Sequence, residues 1–394
     1  MTYAEKVLAL SRGVAGIRDG RRRPRIPAAV VVRSLLAMWL ARLGSLNALE
    51  QTRPSPFWRR FLGAPLPSAD TLGRVPERLE ADSLREVLHQ TYTLLKRNKA
   101  LPATSHGLTA LVLDGHETHA SYYRHCAGCC VRHIGGEGQQ RQQFYHRVVS
   151  AMLLSGELRL WLDVEPQGPG EDEIAAGVRL LERVLDHYPR AFDVVLGDAL
   201  YTDPRLYAVA LDHGKDVLSV LKNEDRDLVK DARALFATLP PQMLSDGCRA
   251  WDVDGFESWP QVGRAVRVVQ TLQTRTPRRP AQRAESEWLW VSTLSTHRAC
   301  TRAIIELGHA RWDIENQGFN EFARRWLADH VYRHHPNALL AFWLLGMLAF
   351  NVFFAFARRN LQLACGSRFS HLHLARCLAE EIYAGLVLPD PRAP

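Results

Sequence analysis

The chain has 394 residues, 46% of them hydrophobic and 23% charged, with 50 Lys and Arg against 42 Asp and Glu for a formal charge of +8. That balance excludes a largely disordered chain and leaves room for two or three folding units. The arginine excess makes a polyanion such as nucleic acid the partner class to look for, because guanidinium forks fit phosphate oxygens.

Seven cysteines, an odd number with three together, argue against a secreted disulfide scaffold and for a reducing cytosol. The start MTYAEKVLALSRG has acids and no long apolar core, so it does not read as a signal peptide. Residues 1–105 read as an all-helical unit. IPAAVVVRSLLAMWLARLG repeats apolar residues at helical spacing, and PSADTLGRVPERLEADSLREVLHQTYTLLKR opens on the candidate caps Ser68 and Asp70. Between apolar helical patterns, RDGRRRPR sets Arg18, Arg21, Arg22, Arg23 and Arg25 against one acid. A solvated loop and a phosphate-contacting arm both account for it.

From residue 108 the texture changes. LTALVL, FYHRVVSAMLL and LRLWLDVE are rich in β-branched and aromatic residues, with SGEL as a hairpin turn between the last two. After the breaker PQGPG, EDEIAAGVRLLERVLDHY reads as an amphipathic helix, FDVVLGD as a buried strand, DPRLYAVALDHG as a helix with a glycine stop and KDVLSVLK as a further strand. Three antiparallel strands followed by alternating helix and strand give an α/β mixed sheet over residues 106–225. Residues 226–297 read as a β-rich insertion, on the alternation in DGCRAWDVDGFESWPQVGRAVRVVQTLQTRT and ESEWLWVSTL. It is basic, with six arginines and no acid from Arg264 to Arg283, Arg278 and Arg279 among them. Residues 298–362 resume with a long helix over 301–333 and an apolar helix over 337–362, and 363–394 form a C-terminal tail. The run LLAFWLLGMLAFNVFFAF, residues 339–356, approaches the length of a membrane span. It stands alone, contains Asn351 and has charged chain on both sides, so a buried core helix is expected.

Three acids stand out. Asp114 ends LTALVL and Asp198 ends DVVLG, and acids at the C-terminal ends of neighbouring buried strands project into one crevice of an open sheet. Either alone reads equally as a cap or an ion-pair partner. In ARWDIENQGFNEFARRW, Trp312, Phe319, Phe322 and Trp326 form an apolar helical stripe, with Arg311 and Glu315 flanking it four residues apart, a spacing that also fits a plain helix ion pair.

Together LVLDG, VVLGDALY and RWDIEN resemble the three catalytic stretches of DDE-type insertion-sequence transposases, whose catalytic domain is ribonuclease H-like. The likeness runs over most of the chain, through PSADTLGRV, a CxxCC after the first acid, YHRVVSAMLL, EPQGPGEDE and a β insertion before the glutamate. It implies a ribonuclease H-like mixed sheet with flanking helices, and Asp114, Asp198 and Glu315 as catalytic ligands of two magnesium (or manganese) ions. It also implies double-stranded DNA as partner, both inverted terminal repeats and target, with Arg311 as the matching motif arginine on a phosphate or organising Glu315; the basic clusters add Arg21, Arg22, Arg23, Arg278 and Arg279 as DNA contacts. A homodimer in the cytoplasm, associated with the nucleoid when on DNA, would hold the two ends together. Carboxylates are apt ligands because magnesium prefers oxygen and keeps waters to exchange with phosphate. Two ions roughly 4 Å apart suit in-line displacement at phosphorus. Two positions depart from the related pattern: Gly308 stands where a tyrosine is usual and Phe322 where a lysine is usual, with Arg324 and Arg325 as substitutes for the lysine.

Cys126, Cys129 and Cys130 lie among His116, His119, His125 and His133. A CxxC pair with a histidine can hold a structural zinc, and cysteine also packs as a small buried hydrophobe; both readings stand. His116, two residues past Asp114, reads as a substrate contact in the crevice. Glu171, Asp172 and Glu173 read as helix-dipole partners or as support for the metals. Trp288 and Trp290 read as core, or as a platform for a base. Beside a transposase, two other functions fit: a nuclease of the same fold that does not join strands, and a domesticated DNA-binding protein that no longer catalyses.

Overall fold

The computed structural model describes residues 2–104, 106–136, 140–244, 247–275, 284–361 and 369–386. Seven helices come first: α1 (Thr2–Leu8), α2 (Leu10–Ala15), α3 (Ala28–Leu40), α4 (Leu46–Gln51), α5 (Pro56–Leu62), α6 (Ala69–Arg74) and α7 (Ala81–Arg97). Serine hydroxyls start three of them: Ser45, Ser55 and Ser68 accept the free N–H groups of Ala48, Phe57 and Thr71. On α7 the stripe Leu84, Val87, Leu88, Thr91, Tyr92 and Leu95 is buried at helical spacing.

One ten-stranded mixed sheet follows. Its first strands are β1 (Ala110–Ser121), β2 (Cys130–Ile134), β3 (Arg141–Ser155) and β4 (Leu158–Pro166). β3 runs antiparallel to β1 from Ala110↔Leu154 to Ser121↔Phe144, and its other edge takes β2 and then β4. Helix α8 (Glu173–His187) leads from β4 into β5 (Val194–Gly197), and α9 (Pro204–Asp212) joins β5 to β6 (Asp216–Val220); both strands add in parallel beside β1. The apolar run Ala110–Leu113 and all of β5 and β6 are buried, as parallel strands covered on both faces must be.

The segment expected as a separate β insertion continues this sheet. After α10 (Asp227–Thr238), a helix that the β-rich reading of 226–297 lacked, come β7 (Gln242–Met243), β8 (Arg249–Phe256), β9 (Val266–Arg275) and β10 (Ala284–Ser292). β10 pairs antiparallel with β6 through Trp290↔Val220. Nor is every arginine here on a basic face: Arg267 is buried and ion-paired to Asp252 at 2.5 Å.

The helix expected over 301–333 is broken. α11 (Thr301–Ala310) gives way to a π-helical turn at Ile314–Phe319 and then α12 (Asn320–Trp326), which stops at Leu327 in the left-handed region. A connector leads to α13 (Pro336–Phe356), and α14 (His371–Tyr383) lies in the expected tail. With its continuation to Leu361, α13 has mean hydropathy 2.2, enough to cross a membrane by length and composition, but 78% of that window is buried inside the protein. Asn351 has a reason to be there. Its side chain accepts from the Trp161 N–H (2.9 Å) and donates to the Trp161 carbonyl (2.7 Å), where a bulge opposite Ala151 and Met152 interrupts the β3–β4 ladder.

The N-terminal helices share one continuous hydrophobic core with the sheet. Trp39 of α3 stacks on Phe322 of α12 at 5.6 Å, and Arg42 pairs with Glu321 at 3.1 Å with both side chains nearly buried. Arg85 of α7 and Arg183 of α8 converge on buried Asp163 of β4 at 2.9 and 2.5 Å.

Candidate active site

Pairing of β1 with β5 ends at Val112↔Leu196, so Asp114 and Asp198 emerge just past the paired region, from adjacent parallel strands. Lys222 follows the end of β6 in the same way. The π-helical turn supplies Glu315 from across the crevice. All four line one cleft of about 590 Å³, together with His116, Trp288, Arg311, Trp312, Arg324 and Asp329. The three acids thus come together from positions 114, 198 and 315, although their oxygens are not drawn within 4.8 Å of one another.

Asp114 is desolvated beside two other acids. Asp114 accepts from the Gly115 N–H at 2.9 Å and lies 3.5 Å from Arg311 Nη1. Burial still pushes its carboxyl up to about 7, against the opposing pull of Arg311, with the charges of Asp198 and Glu173 adding to the rise. Glu173 sits directly behind Gly115: a Cβ on that glycine would fall 2.3 Å from Glu173 Oε1. Its carboxylate accepts from the Tyr201 hydroxyl at 3.0 Å and from Arg147 at 2.9 Å, and burial raises it too. Its neighbours have other work. Glu171 accepts from the Gly168 N–H and pairs with Arg179, while Asp172 caps α8 through the Ala175 N–H.

The π-turn decides which side chains follow Glu315 into the cleft. A π residue advances a helix by about 80° against about 100° for an α residue, so this turn retards the frame by roughly a quarter turn. Phe322 would share Glu315's face on a plain α-helix. Instead it is fully buried against Trp39, Trp161 and Trp343, and Ala323 and Arg324 line the cleft. Arg325 turns away to pair with Glu321 at 3.2 Å. Gly308 is equally constrained, since a Cβ there would meet the Trp290 indole nitrogen at 2.5 Å. A tyrosine has no room.

His116 lines the cleft as expected, with Nε2 2.8 Å from Asp329 Oδ1 and its ring stacked on Phe319 at 4.7 Å. Trp290 is core, and Trp288, 5.9 Å from it, reaches the cleft wall. Arg21 is held by Asp19 at 2.6 Å and by the Ile26 carbonyl, whereas Arg22 and Arg23 are exposed. Arg278 and Arg279 lie outside the described residues.

The cysteines sort differently from the sequence expectation. Cys126 and Cys129 gather with His146 of β3 and His334 of the connector, all four ligand atoms within 4.8 Å of one another. Cys130 points away, its thiol toward the Gln167 and Gly168 carbonyls at 3.7 and 3.6 Å. Neither partner histidine came from the residues first singled out: His125 stacks on Phe144, His133 is exposed, and His119 packs against both partners without joining them. Burial, with His119 and His334 alongside, pushes His146 down to about 4, so its imidazole is neutral at ordinary pH.

Against known families, a model described as the transposase DDE domain matches residues 107–352, which spans Asp114, Asp198, Glu315 and the cysteine cluster. No curated protein matches the chain.

Proposed function

The chain belongs to the transposase DDE domain family, and from that premise we propose that it cuts DNA at the ends of a mobile element and joins them to target DNA, with a ribonuclease H-like core. The observation that carries this reading is the convergence of Asp114, Asp198 and Glu315 on one cleft. We assign these three as ligands of two magnesium or manganese ions. The donor set fits: carboxylate oxygens suit hard cations, and Asp114, whose carboxyl is pushed up to about 7 by burial first and by the charges of Asp198 and Glu173 after it, is a group whose ionised form a divalent ion would stabilise. Such ions, when bound, supply Lewis acidity that activates a water or 3′-hydroxyl and stabilises the leaving oxygen.

The chain's own residues supply the rest. Arg311 is buried with its Nε lacking a partner among the described residues, so the guanidinium has donors to spare for a phosphate oxygen beside Asp114. Arg324 and Lys222 add cationic contacts along the same wall, and Arg324 takes the place of the family's usual lysine. Arg147 and Tyr201 hold Glu173, which backs the acids and keeps their field negative. The exposed Arg22 and Arg23 are assigned to the DNA backbone outside the cleft. The terminal repeats would be held in a homodimer, since two ends must be brought together.

Asp114→Ala, Asp198→Ala and Glu315→Ala should each abolish magnesium-dependent cleavage of the element's ends and leave DNA binding nearly intact. Undiminished cleavage in any of the three overturns that residue's assignment. Cleavage without joining of a 3′ end to target DNA establishes a nuclease instead, and binding with neither activity a domesticated DNA-binding protein.

A further inference from the structure

We propose that Cys126, Cys129, His146 and His334 form a structural zinc site, separate from the acidic cleft and independent of the transposase reading. A tetrahedral zinc with S and N bonds of about 2.3 and 2.0 Å requires sulfurs about 3.8 Å apart and sulfur–nitrogen separations of about 3.5 Å. The two sulfurs lie 3.8 Å apart. The His146 Nε2 is 3.2 Å from each of them, and the His334 Nε2 is 3.6 Å from the Cys129 sulfur. Four protein donors of the soft and borderline kind zinc takes, with Cys129 and His146 buried, make a closed set.

The local chain is shaped for this. Cys126 N–H donates to the Cys129 sulfur at 3.2 Å, which orients that sulfur toward the cluster. Gly128 lets the turn lie close, since a Cβ there would already be 3.3 Å from Pro336 and 3.5 Å from His146. Binding is not a redox step: zinc displaces the two thiol protons to solvent, and both imidazoles coordinate neutral. The ion would join three distant segments: the loop after β1, strand β3 and the connector from α12 to α13. That connector also carries Asp329, the partner of His116 at the cleft. His334 anchored at one end and Asp329 seated at the other would hold the connector along the sheet.

The test is metal analysis of the full-length protein purified from zinc-replete cells, with cobalt titration after chelation. One zinc per chain is expected, with one equivalent of cobalt giving tetrahedral d–d absorption and a thiolate charge-transfer band. Cys126→Ser with Cys129→Ser, and His334→Asn alone, should lose both signals, while Cys130→Ser and Asp114→Ala keep them. Chelation of the wild type should speed amide exchange in 122–130 and 327–335 at least tenfold and leave β5 unchanged. Because cobalt reconstitution uses the wild type, a variant that fails to fold does not remove the test. No zinc and no cobalt spectrum in the wild type, a Cys126–Cys129 disulfide in place of metal, or equal loss in Cys130→Ser would overturn the proposal.

Discussion

Replacing Asp114 by Asn should stabilise the metal-free protein while destroying its activity. The Asp114 side chain is 18% exposed and its carboxyl is held at about 7 against an ordinary 3.8. Three units at about 1.4 kcal/mol each place the cost of ionising it in the fold at about 4 kcal/mol. The sign follows from proton counting. From about pH 4 to pH 7 the folded protein keeps this proton and the unfolded chain has lost it, so stability falls by about 1.4 kcal/mol per pH unit and then levels off. Asparagine removes the ionisation and keeps an oxygen that can accept from Arg311, whose pull on the carboxylate is already contained in that cost. The difference between Asp114→Asn and wild type should therefore start near zero at about pH 4 and climb to about 4 kcal/mol in the variant's favour at about pH 8. Urea unfolding in chelator across that range reads it directly, and the difference between the two proteins cancels every titrating group that does not interact with Asp114. Magnesium should stabilise the wild type more than the variant. A flat difference across the range, or a variant less stable at about pH 8, would refute the electrostatic account of the cleft.

Two further substitutions test the frame around it. Asn351→Leu leaves the Trp161 N–H and carbonyl unpaired in the core, so it should cost about 3 kcal/mol in urea unfolding even though it makes α13 more apolar; an unchanged midpoint would show that the bonds contribute nothing. Arg324→Ala should cut end cleavage at least tenfold and Arg325→Ala change it little, because only Arg324 lines the cleft. Equal effects would sink the argument from the π-turn.

What was legible in the sequence was what short-range physics controls. Asp114 and Asp198 could be read because each ends a fully apolar strand, and such strands sit side by side with their ends at a crevice. Glu315 could be tied to them by family resemblance alone, since its spacing to Arg311 fits any helix ion pair. The consequences of Gly308 and Phe322 were hidden for two reasons. The π-turn rotates the frame without leaving a periodic trace, and the space beside Gly308 is taken by Trp290 from a strand that reaches it only in the folded sheet. The sheet's extension through β7–β10 was hidden too, because alternation marks a strand but not its partner. His146 and His334 were out of reach because ligand spacing is informative only when the ligands are close in sequence.

The register of β1 on β3 explains how one strand serves both the cleft and the cysteine cluster. Asp114 pairs with Ser150 and His116 with Val148, so these side chains share a face. Regular pairing would set Thr118 opposite His146; the irregularity between Glu117 and His119 puts His119 there instead. His146 therefore lies on the cleft face, four residues along β3 from Ser150, or about 13 Å. The connector spans the same interval, with Asp329 at His116 and His334 at Cys129. At that separation a hard oxygen set open to DNA and a closed set of sulfur and imidazole need not share an ion. Magnesium would not displace zinc from thiolates, and a zinc already coordinated by four protein groups has no open position for a phosphate. The crowding of acid, histidine and cysteine between residues 114 and 130 is thus resolved along the strand, by ligand chemistry at each end.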